Sequence, residues 1–161
     1  MLRIYYAAYL TYQAITVQPQ LEICAMDTDK LIAQLKRHEG QERMPYIDTE
    51  GKMTIGIGRN LTDRGISIAT IDQMLIEDIE LATSELDRVY PEWCNLSEQR
   101  QIVLANMSFN LGLPRYLMFE KFWAALRNGQ WELASQEMLE SRWAKQVGDR
   151  ATELAEMMRK G

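Results

Sequence analysis

The stretch Arg37-His-Glu-Gly-Gln-Glu-Arg-Met-Pro-Tyr-Ile-Asp-Thr-Glu-Gly-Lys-Met-Thr-Ile-Gly-Ile-Gly-Arg-Asn60 changes its hydrophobic period partway along. Just upstream, Leu31, Ile32 and Leu35 recur at helical spacing, and Gly40 is the residue type that closes a helix in the left-handed conformation. A helix is therefore expected from Lys30 that stops at Glu39, with Thr28 or Asp27 as its cap. Downstream, the short alternating runs Met44 to Ile47 and Met53 to Ile57 read as a β-hairpin. Asp48-Thr-Glu-Gly-Lys52 is its turn, and Gly51 sits where a positive φ is needed. The sheet is small and local, and two carboxylates, Glu39 and Asp48, flank the Pro45-Tyr46 kink that leads into it.

Helical periods take over beyond the loop Thr62 to Ile66. Ser67 is placed to cap a long helix whose stripe Ile71, Leu75, Ile79, Ala82, Leu86 and Val89 runs until Pro91. Ser97 caps the next, and Ile102 to Phe109 is apolar nearly all round, the pattern of a helix at the centre of a bundle. Phe119, Phe122, Trp123 and Leu126, then Trp131, Ala134 and Met138, then Leu154, Ala155 and Met158 are the residues expected to pack around it. The expected class is α+β: a small hairpin lobe and a larger helical lobe joined by a long helix, with a cleft for an extended ligand.

At 161 residues the chain has the length of one domain with a sizeable core. A net charge of -5 and a pI near 5.0, with no basic stripe, argue against holding nucleic acid by its phosphates. Cys24, Cys94 and a single His show neither a zinc-ligand spacing nor a disulfide framework. Both thiols are expected to be reduced, with Cys94 packed. Residues 1–25 stand apart as an N-terminal extension to a domain spanning 26–161. Within the extension, Ile4 to Val17 is apolar but short for a membrane span. It reads as a weak export or signal-anchor segment, as an appendage upstream of a true start at Met26, or as a packed strand or helix of the fold.

Glu39 sits at a helix C-terminus, whose partial negative charge disfavours an ionised carboxylate and suits a general acid. Asp48, in a solvated turn, is expected to stay ionised. Two carboxyls in unlike surroundings are the pattern of glycoside hydrolysis. In Thr54-Ile-Gly-Ile-Gly58 the alternation sets Thr54, Gly56 and Gly58 on one bare face and turns Ile55 and Ile57 to the core. Plainer readings exist: Asp48 bonding its own turn, Glu39 pairing with Arg43, glycines that only let a helix pack closely.

Glu39-Gly, then Tyr46-Ile-Asp48-Thr-Glu-Gly, then Thr54-Ile-Gly-Ile-Gly58 together resemble the catalytic signature of the phage-type lysozymes (endolysins), glycoside hydrolase family 24. The resemblance continues through Asn106-Met-Ser-Phe-Asn-Leu-Gly112, Trp131-Glu-Leu-Ala-Ser135, Ser141-Arg-Trp-Ala-Lys-Gln146 and Arg150-Ala151, covering about Asp29 to Gly161. It implies that Glu39 is the general acid, that Asp48 and Thr54 position and activate the attacking water, and that Arg150 pairs with the acid. Phe109 and Asn110 match positions lining the saccharide groove. Asn60 stands at the groove rim, where it and Arg59 depart from the family pattern.

The implied activity is that of a muramidase cutting peptidoglycan at the β-1,4 bond between N-acetylmuramic acid and N-acetylglucosamine. Inversion is implied, with the two carboxyls roughly 6.5 to 9.5 Å apart. The role implied is a phage or prophage endolysin for host lysis, a monomer that needs no metal or cofactor and binds no nucleic acid. It waits in the host cytoplasm and acts in the periplasm, and it meets a membrane only if Ile4 to Val17 is a signal anchor. The rivals are a lytic transglycosylase, which does without a water-activating partner, and a non-catalytic wall-binding module.

Overall fold

The Asp27 carboxylate accepts a hydrogen bond from the Lys30 amide (3.1 Å) and so begins α1, Thr28–Glu39, in the computed structural model, which describes residues 26–161. Gly40, at φ 74°, ends the helix directly after Glu39, as its position in the sequence predicts. Strand β1, Glu42–Ile47, then pairs antiparallel with β2, Met53–Gly56, with Tyr46 opposite Thr54 and Ile47 opposite Met53. The register is irregular between Glu42 and Tyr46, where Pro45 has no N–H to give to the ladder. Gly51 has the expected positive φ, 78°.

The sheet has a third strand that the sequence reading did not contain: β3, Arg59–Asn60, pairs with β2 and puts Asn60 opposite Thr54. The expected loop after it holds a short helix, α2, Leu61–Arg64. The expected face of Thr54, Gly56 and Gly58 is also corrected. Strand β2 stops at Gly56, where φ is 69°, and Gly58 follows at 74°, so the chain turns toward β3 instead of running on. A Cβ at either glycine would have no atom within 4 Å, so the backbone angle selects glycine there, not crowding. Once the alternation breaks, Ile57 is exposed and only Ile55 is half-buried.

The chain divides into two compact units at Gly65–Ile66, and the long helix α3, Ile68–Val89, falls in the second. Ser67 caps it through the Thr70 amide, and a 3₁₀ turn, Pro91–Asn95, follows it. Helices α4 (Glu98–Leu111), α5 (Leu113–Leu117), α6 (Glu120–Arg127), α7 (Trp131–Leu139), α8 (Arg142–Val147) and α9 (Asp149–Lys160) complete the unit. Its core joins Leu86, Val103, Leu104, Met107, Tyr116, Phe122, Trp123, Leu126, Met138 and Met158, much as the helical stripes foretold. The α3 stripe is buried only at Ala82 and Leu86; Ile71, Leu75 and Ile79 are exposed. Arg100 fastens α4 to the last helix, donating to the Met158 carbonyl (3.0 Å) while its guanidinium lies 4.2 Å over the Trp131 ring.

Cys94 is a free, exposed thiol, not the packed residue expected, because the 3₁₀ turn buries its neighbour Trp93, whose indole N–H donates to Asp87 (2.7 Å). Partial desolvation, then the nearby Asp87 carboxylate, push the thiol's pKa up. Ile4 to Val17 and Cys24 lie outside the described residues. Among those described, no helix is long and apolar enough to cross a membrane.

Candidate active site

The hairpin turn builds the site from its own backbone. The Gly51 amide donates to the Asp48 carbonyl (3.0 Å) and the Asp48 amide to the Lys52 carbonyl (2.9 Å), closing a tight loop. Closure aims the amides of Glu50 and Lys52 at Asp48 Oδ1, each at 2.9 Å. The other oxygen, Oδ2, accepts from the Thr54 hydroxyl at 3.1 Å. The Lys52 amide, then the Glu50 amide and the Thr54 hydroxyl, outweigh desolvation and hold the Asp48 carboxyl below the usual aspartate range. Asp48 is thus the ionised carboxylate the sequence suggested. It also bonds its own turn, as the plainer reading of the sequence expects.

Thr54 is the one described residue of the first unit that is buried, 3% exposed on an otherwise open sheet. Glu39 closes α1 and is exposed, with Lys36, Arg37 and His38 in the same last turn. Lys36 and Arg37 are the nearest local offset to the negative helix end. Asn60 faces Thr54 in the β2–β3 register, but its side chain is occupied by capping α2: it accepts from the Asp63 amide (2.9 Å) and donates to the Asp63 carboxylate (3.0 Å). Arg59 donates to the Gly65 carbonyl (2.7 Å). The first unit therefore brings Asp48 in the hairpin turn against Thr54 on β2, with Asn60 on β3 opposite Thr54.

The second unit holds the remaining expected residues. Phe109 is exposed near the end of α4 and lines an apolar hollow of about 280 Å³ with Leu75, Ile79, Ala82 and Ile102. Asn110, next to it, accepts from the indole N–H of buried Trp143 (2.8 Å), which fixes its amide. Arg150 is exposed in the first turn of α9.

The sequence reading missed the Lys52–Asp63 ion pair and the hydrogen bond from the Met53 amide to Thr62 Oγ1 (2.9 Å). One signal was available: Asn60-x-x-Asp63 has the spacing of a reciprocal helix cap. An ionised carboxylate whose second oxygen shares a hydroxyl is suited to orient and deprotonate a water; a carboxyl elsewhere must protonate the leaving group.

Comparison with known proteins identifies the family. The family profile described as phage lysozyme matches residues 36–160. The pre-baseplate central spike protein Gp5 of Enterobacteria phage T4 is 29% identical over 146 residues, 73% of this chain and 25% of that protein, so the chain spans about a quarter of it. Two proteins of Dictyostelium discoideum, probable T4-type lysozymes 1 and 2, are 24% and 25% identical over 156 residues, 79% of this chain and 92% of each. With the profile covering most of its length, the chain belongs to the phage lysozyme family and is a glycoside hydrolase of the lysozyme class, acting on peptidoglycan.

Proposed function

We propose that the chain is a muramidase that hydrolyses the β-1,4 bond between N-acetylmuramic acid and N-acetylglucosamine with inversion at the anomeric carbon. Glu39 protonates the departing glycosidic oxygen. Asp48, with the Thr54 hydroxyl, holds the water on the far face of the sugar and takes its proton. The observation that carries this reading is the Asp48 Oδ2–Thr54 hydroxyl bond, since a lytic transglycosylase has no need of a water-activating pair. Phe109 and Asn110 keep the groove-lining roles that the resemblance implies, Arg150 is the cation that the resemblance pairs with the general acid, and Asn60 stands at the groove rim as a substrate contact that departs from the family pattern.

The test follows the first-formed anomer of the cleaved glycan by NMR and the product mass. Inversion with water added is expected; a retained anomer or 1,6-anhydro ends would refute the mechanism. Glu39→Gln should abolish clearing of bacterial walls and leave wall binding intact, and unchanged clearing would remove Glu39 from its role. Phe109→Ala and Arg150→Gln should each lower activity without unfolding the protein. We further propose an endolysin that waits in the host cytoplasm and works in the periplasm. Fractionating cells that express the full chain or a version starting at Met26 decides whether residues 1–25 carry it out.

A further inference from the structure

Register makes Asp48 and Lys52 the facing pair at the mouth of the hairpin: Ile47 stands opposite Met53, and the Asp48 amide donates to the Lys52 carbonyl (2.9 Å). Facing residues on an antiparallel pair hold their Cβ atoms about 4.5–5.5 Å apart, and opposite charges there attract. Asp48 and Lys52 nevertheless form no ion pair. The Lys52 ammonium turns to Asp63 of α2, while the Asp48 carboxylate accepts only from the Glu50 and Lys52 amides and the Thr54 hydroxyl. Asp63 is held in place for this: Asn60 bonds both its amide and its carboxylate, and neighbouring Thr62 accepts from the Met53 amide. Arg59, next to Asn60 on β3, is engaged with the Gly65 carbonyl.

We propose that Asp63 is a positioning residue for the lysozyme reaction: it draws the Lys52 ammonium away from Asp48, leaving Asp48 Oδ2 to the Thr54 hydroxyl and the attacking water. The inference rests on the assignment of Asp48 as the water-activating carboxylate. A carboxylate paired with an ammonium is a weaker base, and the cation occupies the lone pair that the water needs. Asp63 offers Lys52 the same chemical group, and its cap with Asn60 limits it to one orientation.

The experiment measures kcat and KM for wall hydrolysis by the full chain and its variants Asp63→Ala, Lys52→Met, the double variant and Asp48→Ala, with thermal unfolding alongside. Asp63→Ala should lower kcat about three- to fivefold, the scale of an exposed ion pair, with KM little changed. Adding Lys52→Met should restore kcat, because the freed cation is gone, and Asp63→Glu should keep the parent rate. If Lys52→Met, Asp63→Ala and the double variant lose activity equally, the pair only stiffens the hairpin and the proposal is overturned. Should Asp48→Ala keep the parent's activity, the assignment of Asp48 itself fails. An inactive Asp48→Ala beside equal losses in the others overturns the role of Asp63 alone.

Discussion

Thr54 is the side chain on which the proposed chemistry turns, because its hydroxyl is buried and donates to Asp48 Oδ2. Thr54→Val keeps the shape and removes the donor, so kcat should fall on the order of a hundredfold, while Thr54→Ser should retain most of it; steady-state kinetics on purified walls checks both. The charge of Asp48 gives a pH prediction with a definite sign. Its folded pKa lies below the ordinary 3.8, chiefly through the Lys52 amide, so its contribution to stability is present above that value and is lost as pH falls through the lowered one. The acid limb of kcat/KM that Asp48 sets should therefore lie below pH 3.8, and in Thr54→Val it should move up as one bond to the charged form is lost. A pH profile whose acid limb stays put in that variant would detach the limb from Asp48.

Among the elements, α5 contains an internal conflict. Tyr116 is fully buried, its ring centroid 4.7 Å from that of Trp123 at a tilt of 49°, and its hydroxyl finds no hydrogen-bond partner among the described residues. Burial pushes the phenol's pKa well above its usual value. A buried donor left unpaired costs about 1–3 kcal/mol, so Tyr116→Phe should stabilise the protein and raise its Tm by a few degrees in a thermal melt. By contrast Leu104→Ala, which empties part of the core of α4, should cost about 2–5 kcal/mol in denaturant unfolding. What could be read from the sequence at this scale followed from range. Gly40 and Gly51 act on their immediate neighbours, so the end of α1 and the turn of the hairpin were legible. Strand β3, two residues long, has no period to read, and its partner is chosen only once Gly56 and Gly58 bend the chain. Cys94 was misjudged for a related reason: a single 3₁₀ turn has no stripe to say which of Trp93 and Cys94 goes inside.

Across the whole molecule the two units are built on different principles. Every buried hydrophobic residue described belongs to the second, from Ala82 to Met158, whereas the first is held by turn and cap hydrogen bonds around buried Thr54. Native-state hydrogen exchange should accordingly find the amides of β1 and β2 opening well before those of α4 around Leu104 and Met107. The same contrast explains how much of the site was legible. Glu39, Asp48 and Thr54 are named by short-range pattern, and the bond joining the last two follows from one hairpin. The partner of Lys52 was not legible, because it depends on a register and a helix cap acting together. Asp48, Lys52, Thr54, Asn60, Thr62 and Asp63 also lie in one uninterrupted piece of chain, and every bond of their network closes inside it. A single recombination event could therefore carry the proposed water-handling half of the chemistry from one chain to another with its electrostatic setting intact.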